Sequence, residues 1–184
     1  MCGAVALFGA CSAYTSGLKP DGKYDRAHAY LYGRFRMLET NAEKTSNTMG
    51  FAIRCRDDQV YTIGFSRLDI VQVIELEPSL CQIESITYAD SGGHVLGRRM
   101  PGFRLLRNEI VSPGGVYYLG DFSAIATESS GDTHIVWMGT STDIHMGWEI
   151  TSVKDNYAQT TEEMKAQFVD LASARTEDRM SRRK

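Results

Sequence analysis

Hydrophobic and polar positions along this chain alternate mostly with a period of two, the spacing of a strand with one dry face. Residues 29–36 are rich in aromatics and partly alternating, which predicts a half-buried first strand. A polar loop over 39–48 follows, and then Phe51, Ile53 and Cys55 alternate with Ala52, Arg54 and Arg56. Asp57-Asp58 is a tight-turn signal leading into 59–65, so residues 49–65 predict an antiparallel hairpin. Three further runs, 70–76, 80–88 and 102–110, are separated by Glu77-Pro78-Ser79 and Asp90-Ser91-Gly92-Gly93. The turn Ser112-Pro113-Gly114-Gly115 precedes a run over 116–125 that predicts a central strand. A last β region covers 134–138 and 147–153, with Trp137 and Trp148 as candidate core or edge aromatics.

Only one stretch carries helical spacing. Thr160 or Thr161 is the expected cap, Glu163 stands three after Thr160 as in a capping box, and Met164, Phe168 and Leu171 recur on one stripe. Short strands at this cadence, with no helix between them, predict an all-β fold, an antiparallel β-sandwich with one C-terminal α-helix. The division expected is an export segment over 1–11, a flexible tether over 12–26, a sandwich over 27–157, a helix over 158–173 and a mobile tail over 174–184.

The export segment rests on a second pattern. Residues 4–10 are an apolar run ending in Gly9-Ala10, and Cys11 follows at once, before a polar, turn-rich stretch. A membrane-spanning helix needs about 20 apolar residues, and this run has the length of a secretory core segment instead. The order resembles the end of a bacterial lipoprotein signal, in which the cysteine is lipidated and becomes the mature N-terminus. That resemblance makes Cys11 the lipid-attachment residue and the membrane a partner through its acyl chains, each buried methylene contributing about 0.8 kcal/mol. Ser12 resembles the residue that lets such proteins pass on to the outer membrane rather than stay at the inner one. No Lys or Arg precedes the apolar run, and Phe8 stands where that family more often has an aliphatic residue. The competing structural reading is a first buried strand or short helix over 2–10.

Composition narrows the classes. A hydrophobic share of 42%, a charged share of 23% and a net charge of -3 fit a folded domain that does not seek phosphate, so no nucleic-acid partner is expected. Seventeen glycines against four prolines suit a turn-rich β protein.

The series Ala29-Tyr30-Leu31-Tyr32-Gly33-Arg34-Phe35, then Met49-Gly50-Phe51, residues 73–78, Thr87-Tyr88-Ala89, and 112–122 ending Tyr118-Leu119-Gly120-Asp121-Phe122 resembles a group of uncharacterised bacterial envelope lipoproteins. The resemblance spans about residues 27–170. It implies a small β-sandwich and an envelope location, with an envelope protein as a possible partner, and it carries over no catalytic residue.

Candidate chemistry is sparse. His28, His94, His134 and His145 show no i, i+2 or i, i+4 pairing of the kind a metal site favours, so neither metal nor cofactor is expected. Cys55 and Cys81 fall in predicted strands, open between a disulfide and two buried thiols. Glu75, Glu77, Glu84 and Asp90 precede Arg98, Arg99, Arg104 and Arg107, which reads as charge offset across a sheet or, alternatively, as a basic stripe for an acidic glycan or lipid headgroup. Asp121 reads as a strand-end aspartate that bonds a turn rather than as a catalytic acid. Met1-Cys2-Gly3 is how N-terminal-nucleophile glutamine amidotransferases begin, but no substrate-binding motif of that class accompanies Cys2. The expected role is therefore binding or structural rather than enzymatic, with a secreted or periplasmic hydrolase of unfamiliar site as the alternative.

Overall fold

The computed structural model describes residues 17–38, 48–56, 59–89, 95–99, 109–136 and 139–180. Strand β1 (Ala29–Leu38) pairs antiparallel with β4 (Val71–Leu76) and parallel with β8 (Val116–Val136). On the far side of β8 lie β9 (Gly139–Lys154), antiparallel, and β10 (Thr176–Asp178), parallel. A second sheet, antiparallel throughout, has the order β3 (Val60–Gly64), β2 (Thr48–Cys55), β5 (Leu80–Ala89) and β6 (Val95–Arg99), with β7 (Glu109–Ile110) also on β5. The described residues are thus mostly strand with one α-helix in a sandwich-like arrangement, but the first sheet is mixed, not antiparallel as expected. Chain order explains the difference: β1 and β8 are joined only after the whole second sheet has been laid down, and so long a crossover permits a parallel pair.

Two cores flank the first sheet. The inner one lies between the sheets and is knitted by rings: Phe35 stacks on Phe122 at 5.6 Å, and Phe51 of β2 meets both edge-on at 5.9 and 5.2 Å. The outer core packs Tyr30, Tyr32, Val71, Val73, Val116 and Tyr118 under helix α1 (Tyr157–Gln167), with Met164, Phe168 and Leu171. Ala29, Tyr30, Leu31 and Tyr32 are consequently all fully buried, so the first half of β1 is covered on both faces, while from Gly33 to Leu38 buried residues alternate with the part-exposed Arg34 and the exposed Arg36, as expected of a half-buried strand. The near-continuous apolar run of that first half is the signature of a strand with two dry faces.

Several boundaries move. The helix starts at Tyr157 with Asn156 at its cap, ends at Gln167, and continues as a 3-10 turn (Val169–Leu171), so the residues expected as caps lie inside it. The β region expected at 116–125 and the described part, 134–136, of that expected at 134–138 belong to one strand, β8, in which a register shift between Ser130 and Thr133 absorbs Gly131 and Asp132. The tail expected to be mobile includes β10, and Ala174 is buried while Met180 packs on the outer core. The tether is likewise docked over its described part: Leu18 N donates to Val73 O at 2.7 Å, and the Tyr24 hydroxyl donates to Gly114 O at 2.7 Å. Apolar anchors at Leu18, Tyr24 and Met180 explain why the described parts of both segments are held. Residues 1–11, Asp57-Asp58 and most of the expected strand over 102–110 lie outside the described residues.

One irregularity positions the polar site. The pairing of β1 with β8 shifts between Tyr32 and Gly33, which face Tyr118 and Gly120, leaving Leu119 as an extra residue. Gly120 takes φ +120°, a conformation that side chains other than hydrogen rarely adopt. Beyond it the alternation of β8 is reversed, so Phe122 joins the inner core and Asp121 faces the helix.

Candidate functional site

A dense polar constellation grows from that bulge. Asp121 is only 8% exposed, and its carboxylate accepts from the Tyr118 hydroxyl at 3.0 Å, from Thr160 Oγ1 at 3.0 and 3.1 Å, and from Asn156 Nδ2 at 2.9 Å. Arg34 Nε lies 3.6 Å away, while the same guanidinium donates to Asp69 at 3.0 Å and to Glu163 of α1. Burial works against the Arg34 charge, but its bonds to Asp69 and the Glu163 carboxylate outweigh it and raise its pKa. Burial likewise pushes the Tyr118 and Tyr32 phenols well above their usual range, and Tyr32 spends its hydroxyl on Thr161 at 2.6 Å. A polar cleft of about 380 Å³ opens beside these groups, lined also by Arg36, Lys154 and Gln159. Both Asp121 oxygens are engaged by donors from the helix and its cap. The arrangement is therefore a pin that fastens α1 to the first sheet.

A second cluster forms where β1 begins and β4 ends. His28 Nδ1 stands 2.5 Å from Glu75 Oε1, outside hydrogen-bond alignment, and 3.6 Å from Asp25, while Nε2 meets Glu77 Oε1 at 3.1 Å. The Tyr30 hydroxyl also reaches Glu75, at 3.3 Å, and burial raises that phenol to about 12. Burial pulls the His28 imidazole down, but Glu75, Glu77 and Asp25 outweigh it, so its pKa lies above 6.5. A folded-state value above the unfolded one means the interaction stabilises fully below pH 6.5 and is lost as pH rises through the folded pKa. An imidazole titration by NMR should give a midpoint above 6.5, and Glu75→Gln should lower it. A midpoint at or below 6.5 in the wild type would remove the carboxylates as the dominant influence.

Cys55 and Cys81 occupy directly opposed positions on β2 and β5 and are joined, S–S 2.02 Å. Glu84 is paired by Arg54 at 3.0 Å on the neighbouring strand, a partner outside the arginine group that the sequence pointed to. Arg98 and Arg99 lie on β6, and Asp90, Arg104, Arg107 and His94 lie outside the described residues, as do Cys2, Cys11 and Trp137. His134 and His145 fall at register positions opposite Ser141 and Ser129 in the ribbon of β8 and β9. Among the described residues, no group of three His, Cys, Asp or Glu is placed to hold a metal ion, and no helix is long and apolar enough to cross a membrane.

Sequence reasoning passed over Arg34 and Asn156, and it weighed His28 only among scattered histidines, without the carboxylates that ring it. Arg34 and Glu163 are 129 residues apart and His28 and Glu77 are 49, so no local spacing could join them. Comparison with known proteins finds no family, no curated protein and no solved structure that matches the chain.

Proposed function

We propose that the chain is an exported, lipid-anchored envelope protein: a small β-sandwich held at a bilayer through Cys11, with a binding or structural accessory role and an envelope protein as its partner. It would belong with the bacterial envelope lipoproteins that residues 27–170 resemble, at the outer membrane rather than the inner one. The observation that carries this reading is the bond between Cys55 and Cys81, since such bonds persist in oxidising compartments outside the cytosol. The apolar run ending at Cys11 supports it independently. Six residue steps separate Cys11 from Gly17, the first described residue, and can span at most about 20 Å. An anchor at Cys11 would thus hold the His28 cluster close to the bilayer.

Intact mass and membrane fractionation in a Gram-negative host test this, beside a Cys11→Ser variant. The wild type should be membrane-bound, acylated and begin at residue 11, and the variant should be none of these. A soluble cytoplasmic product that keeps residues 3–10 would sink the reading, and Cys2 would then be the residue to test as a nucleophile.

A further inference from the structure

A groove of about 590 Å³ runs between the docked part of the tether, a strap over residues 17–26, and the outer edge of β4. Its apolar surface is Leu18 and Tyr61 with Leu76 beneath, and its rim carries Asp21, Glu75 and Glu77. The cations facing it are Lys19 and His28. With Asp25 beside His28, four carboxylates among the described residues stand against two cations, leaving two negative charges there even when the imidazole is protonated.

The edge itself is shaped for an extended chain. Leu18 N donates to Val73 O, so the main chain of Val73 points away from β1, and by alternation that of Glu75 does too. The opposing residue agrees, because Tyr30 N turns away from Glu75 to donate to Gly115 O. The strap leaves this edge after Leu18, turning where Gly22 N donates to Lys19 O at 2.8 Å. Glu75 therefore presents main-chain groups and a carboxylate to the same groove.

We propose that the groove binds an extended, cationic segment of a partner protein, pairing with the edge at Glu75. An apolar side chain of that segment would rest on Leu18 and Tyr61, and a neighbouring Lys or Arg would meet Glu75, Glu77 and Asp21. The proposal rests on the binding role inferred above and names the chemistry of the partner. Charge complementarity selects a basic segment over an acidic one, and a strand edge that no described residue pairs at Glu75 selects an extended one over a helix.

The test is fluorescence anisotropy of a labelled Lys-Leu-Lys-Leu-Lys-Leu peptide titrated with the full chain, beside a Glu-Leu-Glu-Leu-Glu-Leu peptide. The lysine peptide should bind saturably and the glutamate peptide should not. The Glu75→Gln/Glu77→Gln pair should weaken binding by about tenfold or more. Lys19 is exposed on the rim, so Lys19→Glu should keep the fold and tighten binding, which guards against a loss caused by misfolding alone. No saturable binding, equal binding of both peptides, or affinity indifferent to these three substitutions would overturn the proposal. So would sedimentation showing a dimer that the lysine peptide cannot dissociate, because a second copy would then fill the groove. None of these results bears on whether Cys11 is lipidated, which the fractionation decides separately.

Discussion

Asp121→Ala is expected to destabilise the protein by about 3 kcal/mol and to loosen α1 ahead of the sheets. The carboxylate is nearly buried and takes hydrogen bonds from Tyr118, Thr160 and Asn156. Its removal leaves the Thr160 hydroxyl, which is fully buried, without the acceptor it uses on either oxygen, and each such orphaned group costs about 1–3 kcal/mol. Tyr118 is partly protected, since its hydroxyl also reaches Lys154 O at 3.3 Å and accepts from Asn156 N at 3.1 Å. Arg34 keeps Asp69 and Glu163, so the loss stays below the larger cost of stranding a buried charge outright. Thermal unfolding should shift by about 6–12 °C, and amide exchange over 157–167 should rise more than over 29–38. Asp121→Asn, which retains one acceptor, should fall between. A shift under about 2 °C with unchanged exchange in α1 would show that the outer apolar core, not the pin, holds the helix.

How far this could be read from sequence turns on the difference between periodicity and irregularity. The alternation at Phe51, Ile53 and Cys55 and the turn before β3 are local signals, and β2 and β3 pair antiparallel with Arg54 opposite Val60. Local signals fail where one residue is inserted. Up to Leu119 the alternation of β8 puts even positions toward the helix, and had it continued, Asp121 would face the inner core and Phe122 the helix. Gly120 reverses the parity, and the only trace in the sequence is a glycine within an apolar run. The caps of α1 were hidden for a related reason. Thr160 has the residue type and spacing of a capping box, but its hydroxyl is drawn to a carboxylate 39 residues away, and the helix starts earlier. The two buried faces of the first sheet follow from α1 and the strap crossing it, a tertiary fact that turned a half-buried expectation into a strand with no exposed side at its start.

Removing the link between β2 and β5 is the other large expected effect. The Cys55–Cys81 bond closes a loop over a sequence separation of 26, for which chain entropy gives about 3.5 kcal/mol, so Cys55→Ala, Cys81→Ala and the double variant should each melt about 7–14 °C lower. The set of three separates two accounts of the same loss. Both cysteines are buried in the inner core, at 3% and 0% exposure, so each replacement also removes packing of a sulfur against its neighbours. Were the cysteines two unlinked thiols, each replacement would add its own loss of packing, so the double variant would be clearly worse than either single one, short of a full sum because the two side chains touch. With the bond in place, either single replacement already breaks it, and the double variant should be little worse than one. The same reasoning predicts that a reductant lowers the wild-type midpoint to near that of the double variant and leaves the variant unmoved. A double loss clearly beyond either single one and a reductant-insensitive wild type would refute the bond in solution, and with it the observation that most directly supports an oxidising compartment. Near-equal losses would tie the stability of this fold to oxidising conditions, because under reducing ones the chain would have to fold without the link that joins the centre of its second sheet.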